Sequence, residues 1–178
     1  MINELEFKSL SLQDLESLMG IDAEAFSEPW SKALWKKELT RPNRLYHGAF
    51  HQCELIGFAG GLIVEQDFHI TTIATVLSLR SKGIGTLVLS GLLRALFEHK
   101  EAIDGVTLEV RASNVSAKTL YNKFGFAPVG IRRGYYQSDG EDALIMWLHG
   151  IRNTSFKEKL GRIEDEILKR VPTKGSTT

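Results

Sequence analysis

The sequence predicts one α/β domain, a mixed and mostly antiparallel sheet flanked by helices. Two observations carry this: strand-like segments pair into hairpins near both ends, and helices cross between strands in the middle. A third is length, since 178 residues fit one domain and leave little room for two.

Taken in order, Ser11-Leu-Gln-Asp14 reads as a capping box, and Leu12, Leu15, Leu18 and Met19 follow at helical spacing. Ser31 suits the N-cap of a second short helix carrying Leu34, Trp35 and Leu39. The loop Phe26-Ser-Glu-Pro-Trp30 between them holds two large aromatics. Strands are expected over 45–50, 54–64 and 68–76, with Gly57, Gly60 and Gly61 marking a bulge or a close backbone approach. The glycine turn Arg80-Ser-Lys-Gly-Ile-Gly-Thr86 precedes a helix whose broad apolar face comprises Val88, Leu89, Leu92, Leu93, Leu96 and Phe97. Val106, Leu108 and Val110 alternate with Thr107, Glu109 and Arg111, the pattern of a half-buried strand. Asn114 suits the cap of the next helix, which holds Ala117, Leu120 and Tyr121, and Gly125 suits its left-handed C-terminal cap. Two strands, near 126–131 and 143–148, close the domain around the turn Ser138-Asp-Gly-Glu141.

This domain is expected to span residues 1–150. Residues 151–171 read as an appended amphipathic helix, with a capping box at Ser155-Phe-Lys-Glu158 and a stripe of Phe156, Leu160, Ile163, Ile167 and Val171. Docking on its own domain is favoured over partner binding. Residues 172–178 are expected to be disordered.

Composition removes several function classes. Lys plus Arg equals Asp plus Glu, 22 each, so the basic excess of a protein that grips nucleic acid directly is missing. No apolar stretch approaches the roughly 20 residues that span a bilayer, and the start Met-Ile-Asn-Glu-Leu-Glu is not that of a signal peptide. The single cysteine, Cys53, forms no internal disulfide and suits a reducing, cytoplasmic setting. With no partner pattern for a nucleophile, Cys53 is expected to be a buried, inert thiol. The five histidines lack metal-ligand spacing, so no metal is expected.

Two constellations bear chemistry. Gly83 and Gly85 sit between a strand and a helix, where exposed backbone N–H groups and the helix dipole bind phosphate, and Arg80 and Lys82 add charge. The spacing fits neither a P-loop nor a dinucleotide fingerprint, whose third glycine would fall on Val88. A glycine turn without a ligand accounts for this stretch equally well. The second constellation is Leu108-Glu-Val-Arg-Ala-Ser-Asn114 followed by Tyr121. Glu109, at mid-strand and opposite Leu108 and Val110, has the makings of a general base, and Tyr121 those of a proton donor. On the residues alone, a solvent-facing Glu109 and a core Tyr121 explain the pattern better. Phe26, Trp30 and Trp35 are either core or the wall of a substrate groove.

Arg80-x-x-Gly83-x-Gly85 resembles the Arg/Gln-x-x-Gly-x-Gly/Ala motif of the GNAT acetyltransferases. The stretch 108–114, with Ala117, Leu120-Tyr121 and Gly125-Phe126, resembles more narrowly the ribosomal-protein-alanine N-acetyltransferases, the RimI group. Pro29-Trp30-Ser31, Arg132-Arg-Gly-Tyr-Tyr136 and Glu141-Asp142-Ala143 agree with that group. The resemblance runs from about residue 10 to 149. It departs at Val76-Leu-Ser-Leu79, where the group usually carries Asp-Pro-x-Tyr.

The resemblance implies a GNAT fold and acetyl-CoA as co-substrate. It implies Glu109 as general base and Tyr121 as general acid. Arg80, Ser81, Lys82, Gly83, Ile84, Gly85 and Thr86 would hold the pyrophosphate, Asn114 would contact CoA, and the backbone of Ile73, Ala74 and Thr75 would pair with pantetheine. Phe26, Trp30, Arg132, Tyr135 and Tyr136 would line the groove for a protein N-terminus, that of a small-subunit ribosomal protein. Two alternatives stay open: a GNAT enzyme for a small amine or a lysine side chain, and a non-catalytic acyl-CoA-binding module.

Overall fold

The computed structural model describes residues 5–100 and 102–170. A strand at Leu5–Ser9 (β1) is followed by a single 3-10 turn, Leu12–Asp14, and by the helices Leu15–Ala25 (α1) and Lys32–Thr40 (α2). Three strands, Arg44–His51 (β2), Glu54–Val64 (β3) and Asp67–Thr75 (β4), form a meander. The helix Ile84–Phe97 (α3) leads to the strand Gly105–Arg111 (β5), and the helix Val115–Phe124 (α4) to the hairpin Ala127–Tyr136 (β6) and Glu141–Leu148 (β7). The helix Thr154–Arg170 (α5) comes last.

The strands form one sheet in the order β1-β2-β3-β4-β5-β7-β6, antiparallel except at β4–β5. Strand β7, not β6, lies beside β5, so the last hairpin adds its first strand as the outer edge. The two layers of core have different casts. One joins α1 and α2 to the sheet through Leu18, Trp35 and Phe58. The other joins α3, α4 and α5 through Leu89, Leu93, Phe124 and Leu160.

The local signals act as their chemistry requires. Ser11 Oγ accepts from Gln13 N–H at 3.2 Å while Asp14 accepts from Ser11 N–H at 2.9 Å. Leu12, in the 3-10 turn, is exposed and no part of the α1 stripe. Ser31 caps α2 through Leu34 N–H, and Asn114 caps α4 through Ala117 N–H. Gly125 ends α4 with φ 100°.

Three expectations need correction. Cys53 is exposed. His51 pairs with Glu54, which leaves Gln52 (φ 51°) and Cys53 (φ 67°) as a two-residue hairpin turn with its side chains turned outward. Strand β6 runs to Tyr136, beyond the expected end, because the Arg132–Tyr136 stretch continues the hairpin with β7. Helix α5 begins at Thr154, so Ser155 lies inside the first turn and is not its cap. The stripe Phe156, Leu160, Ile163 and Ile167 is buried against the domain; Val171 and the expected tail at 172–178 lie outside the described residues.

The feature that matters most for the site is a bulge. Gly60 pairs with Thr72 and Gly61 with Ile70, so Thr71 is an extra residue on β4. The glycines permit it: a Cβ on Gly61 would lie 1.8 Å from the His69 carbonyl oxygen, and one on Gly60 would lie 2.3 Å from the Tyr46 ring. The bulge flips the alternation of β4. Phe68 and Ile70 point to the α3 side, but Ala74 points to the α1 side.

Candidate active site

Strands β4 and β5 pair from Asp67↔Gly105 to Ile70↔Leu108 and then part. The parting falls at the bulge. Beyond it β4 stays bound to β3, and β5 to β7, so the edge of β4 that faced β5 is open. A cleft of about 750 Å³ occupies the gap, and Ile70–Ile73, Leu108–Arg111 and Asn114 line it. Of the three predicted strand residues, Ile73 faces the cleft while Ala74 is in the core, so 73–75 have mainly backbone to offer.

The glycine turn lies past the end of β4. Val76-Leu-Ser-Leu79 forms one 3-10 turn. Ser81 has φ 61° and Gly83 φ 87°, left-handed positions that turn neighbouring amides into a shared concavity for an anion. Among the described residues no side chain caps α3, whose first-turn N–H groups have no intrahelical partners. Arg80, Ser81 and Lys82 are exposed, whereas Ile84 and Thr86 are buried and anchor the helix start. The loop therefore fits a pyrophosphate through backbone N–H groups, with Arg80 and Lys82 as outlying charge. These residues do not line the cleft, which begins at the bulge.

Glu109 and Tyr121 line one cleft. Glu109 is 7% exposed and both its oxygens are engaged: Oε2 lies 2.5 Å from His69 Nε2, and Oε1 lies 3.3 Å from Arg132 Nη2. His69 is absent from the cleft wall, and its side chain is 31% exposed. Burial raises the Tyr121 pKa well above the ordinary phenol value, with a smaller push from Tyr136. Tyr121 thus keeps its phenolic proton at any working pH.

The walls are rigid for identifiable reasons. On one side, Asp22 is 2% exposed and accepts from Trp30 N–H at 2.7 Å and from the Trp35 indole N–H at 3.0 Å. Trp30 lies 4.6 Å from Trp35, and Phe26, 39% exposed, projects from the same loop into the cleft. On the other side, Arg111 stacks on Tyr136 at 3.9 Å and holds Asp139 and Glu141 at 2.8 Å each. Ser113 and Arg111 hold the Glu141 carboxyl down to about 2, so this clamp stays charged at neutral pH. Tyr135 packs edge-on to Tyr136 at 5.2 Å, and both line the cleft. Arg132 does not line it but reaches it through Glu109.

The predicted site residues thus fall into a cleft and an adjoining loop. A second groove, of about 910 Å³, lies between β1, β2, α3 and α5 and contains none of them. Two supporting residues were missed. His69 was weighed only as a metal ligand; its cue is that it pairs with Thr107, two residues before Glu109, on the adjacent strand. Asp22 continues the Leu15–Leu18 stripe at i+7, and an acid in an apolar stripe asks for buried donors.

Comparison with known proteins agrees with this geometry. The model of the acetyltransferase (GNAT) family matches residues 15–126. The chain is 37% identical over 142 residues to a putative ribosomal protein bS18-alanine N-acetyltransferase of Bacillus subtilis, covering 79% of this chain and 93% of that one. It is 34% identical over 145 residues to the N-alpha-acetyltransferase RimI of Mycobacterium tuberculosis, covering 78% and 88%. The crystal structure of the ribosomal-protein-S18-alanine N-acetyltransferase from Escherichia coli superposes with a TM-score of 0.75 at 30% identity, covering 82% of this chain and 94% of that one. The family match spans the bulged strand, the glycine loop and the Glu109–Tyr121 segment together, so the chain belongs to the acetyltransferase (GNAT) family and is an N-acetyltransferase.

Proposed function

We propose that the chain transfers the acetyl group of acetyl-CoA to the α-amine of a protein N-terminus, alanine above all, and that the protein is one of the small ribosomal subunit. Such a substrate entails a cytoplasmic site of action. Residues 1–150 would carry the reaction, with residues 151–171 as an addition. The observation that carries the reading is the meeting of Glu109 and Tyr121 in one cleft, between an open strand edge and two rigid aromatic walls.

The reaction is direct. A neutral amine attacks the thioester carbonyl, the C–N bond forms, the C–S bond breaks, and CoA leaves as a thiolate that takes up a proton. An α-amine titrates near 8 and lysine near 10.4, so neutralising an N-terminus costs ~3 kcal/mol less. Glu109 accepts the amine proton, directly or through water. His69, against Oε2 and partly exposed, fixes the carboxylate and gives the proton a way out. Arg132 holds the other oxygen. Tyr121 protonates the thiolate; its raised pKa keeps it in the donor form. Backbone N–H groups on the open edge of β4 polarise the carbonyl. Ser81–Thr86 bind the pyrophosphate and Asn114 touches CoA, while Phe26, Trp30, Tyr135 and Tyr136 hold the peptide.

The test is acetyl-CoA turnover on three substrates: a peptide with a free N-terminal alanine, the same peptide blocked at its N-terminus with an internal lysine, and free small amines. The first should react fastest by a wide margin. Equal rates on the two peptides would assign the enzyme to lysine or to amines broadly, and binding of CoA without turnover on any would make it a binding module.

A further inference from the structure

We propose that helix α5 is a built-in prop for the glycine loop, and that Ile167 is a positioning residue for acetyl-CoA. This rests on the reading of the loop as the pyrophosphate site.

Gly83 holds φ 87°, and a Cβ on it would fall 2.7 Å from Ile167 Cγ2. The Ile167 side chain therefore lies directly on the backbone of the loop. It is 6% exposed, so the contact is closed to solvent. The rest of α5 is fastened along α3 and α4. Phe156, Leu160 and Ile163 are buried, Glu164 accepts from Ser90 Oγ at 2.6 Å and pairs with Arg94, and Glu166 pairs with Lys123 at 3.5 Å. Lys157 lies over the Phe97 ring at the far end of α3, so α5 runs antiparallel to α3 and delivers Ile167 to its start.

The loop needs such support. It carries no proline between Val76 and Thr86, and its 3-10 turn leaves Leu77 half exposed. Ser81, which is not glycine, sits at φ 61°, a position that persists only where the surroundings impose it. Among the described residues no side chain caps α3. Helix α5 lies outside the family match at 15–126. A helix from outside the family match thus presses on a turn that has little to stiffen it from within. By linkage, whatever factor α5 docking adds to CoA affinity, CoA adds to α5 docking.

The experiment uses the full chain with Ile167→Ala and the milder Ile167→Val. Calorimetry gives the Kd of CoA, and kinetics give KM for acetyl-CoA and for peptide. Ile167→Ala should weaken CoA about 5- to 10-fold, raise KM for acetyl-CoA in step, and leave saturated kcat and peptide KM within about twofold. Ile167→Val should fall between it and the unaltered chain, and it carries the test if the alanine variant does not fold. Amide exchange in α5 should slow when CoA binds. Unchanged CoA affinity in the folded variants overturns the prop, as does an equal loss in peptide KM and kcat. Gly85→Glu separates the two readings: if it too leaves CoA binding intact, the loop is not the pyrophosphate site and the reading beneath fails instead.

Discussion

Replacing Glu109 with glutamine keeps the shape of the side chain and removes its ability to take a proton. The structural cost is small. The Arg132 partner at 3.3 Å is 54% exposed, so its charge stays solvated when the carboxylate is replaced, and the amide still hydrogen-bonds to His69. For a chain of this size the melting temperature should fall by a few degrees at most. The chemical cost is large: general-base catalysis contributes about 10²-fold or more, which is ~2.7 kcal/mol of the barrier. The defect also has a pH signature. An amine titrating near 8 is about one-tenth neutral at pH 7 and about nine-tenths neutral at pH 9. With less need for a base, the deficit in kcat should shrink about tenfold across that span. The assay is kcat on an N-terminal alanine peptide from pH 6 to 9, with CoA affinity and melting temperature measured on the same protein. Turnover within about threefold of the unaltered enzyme throughout (well below what a general base supplies) would refute the base assignment. A large loss of stability with normal kcat in the folded fraction would make Glu109 a structural residue.

Tyr121→Phe should lower kcat by about 10²-fold while leaving CoA affinity unchanged, and the double mutant with Glu109→Gln should lose less than the two effects combined, as read from kcat of all three. Gly85→Glu should abolish CoA binding in calorimetry with little change in melting temperature, because a Cβ there meets only Leu120 Cδ2 at 3.7 Å. Gly83 is the poorer site for that test, since any side chain would strike Ile167 and strain the backbone. Asp22→Ala leaves the Trp30 amide and the Trp35 indole N–H without their acceptor. Stability should fall by about 3 kcal/mol, or ~6–12 °C in thermal unfolding, and peptide KM should rise as the Phe26–Trp30 loop loosens.

How far the fold could be read from the chain depended on how local its causes are. Helix α3 declared itself through its apolar face, β5 through strict alternation, and the caps at Ser11, Ser31, Asn114 and Gly125 through residues within one turn of the helix ends. The glycines of β3 announced a bulge, but the extra residue, Thr71, stands on the partner strand, where only pairing reveals it. The placement of β7 between β5 and β6 is likewise a matter of pairing across long separations. Glu109 and Tyr121 stand out through the resemblance of 108–114 and its neighbours to a known motif, since spacing alone leaves them a surface carboxylate and a core phenol. Their supports do not: His69 meets Glu109 from 40 residues away, and Ile167 meets Gly83 from the far end of the chain. Cys53 was misjudged because a thiol's usual burial was weighed and the two-residue turn that turns it outward was not.

A sheet ordinarily has two edges, and their unpaired amides invite strands from other molecules. Here both outer edges are blunted. β1 has five residues and carries Glu6 and Lys8, while β6 carries Pro128, Arg132 and Arg133 and breaks register with its neighbour twice. The parting of β4 from β5 creates a third edge, in the middle of the sheet, which no charge or proline blunts without spoiling its use. Its safeguard is cover. β5 continues alongside, held by β7, and the Phe26–Trp30 loop and the Tyr135–Ser138 end of the last hairpin wall the slot. A foreign strand would have to pass those walls to pair with the open edge. Any change that widened the slot would therefore endanger solubility as well as chemistry, by opening to aggregation an edge that the fold keeps hidden.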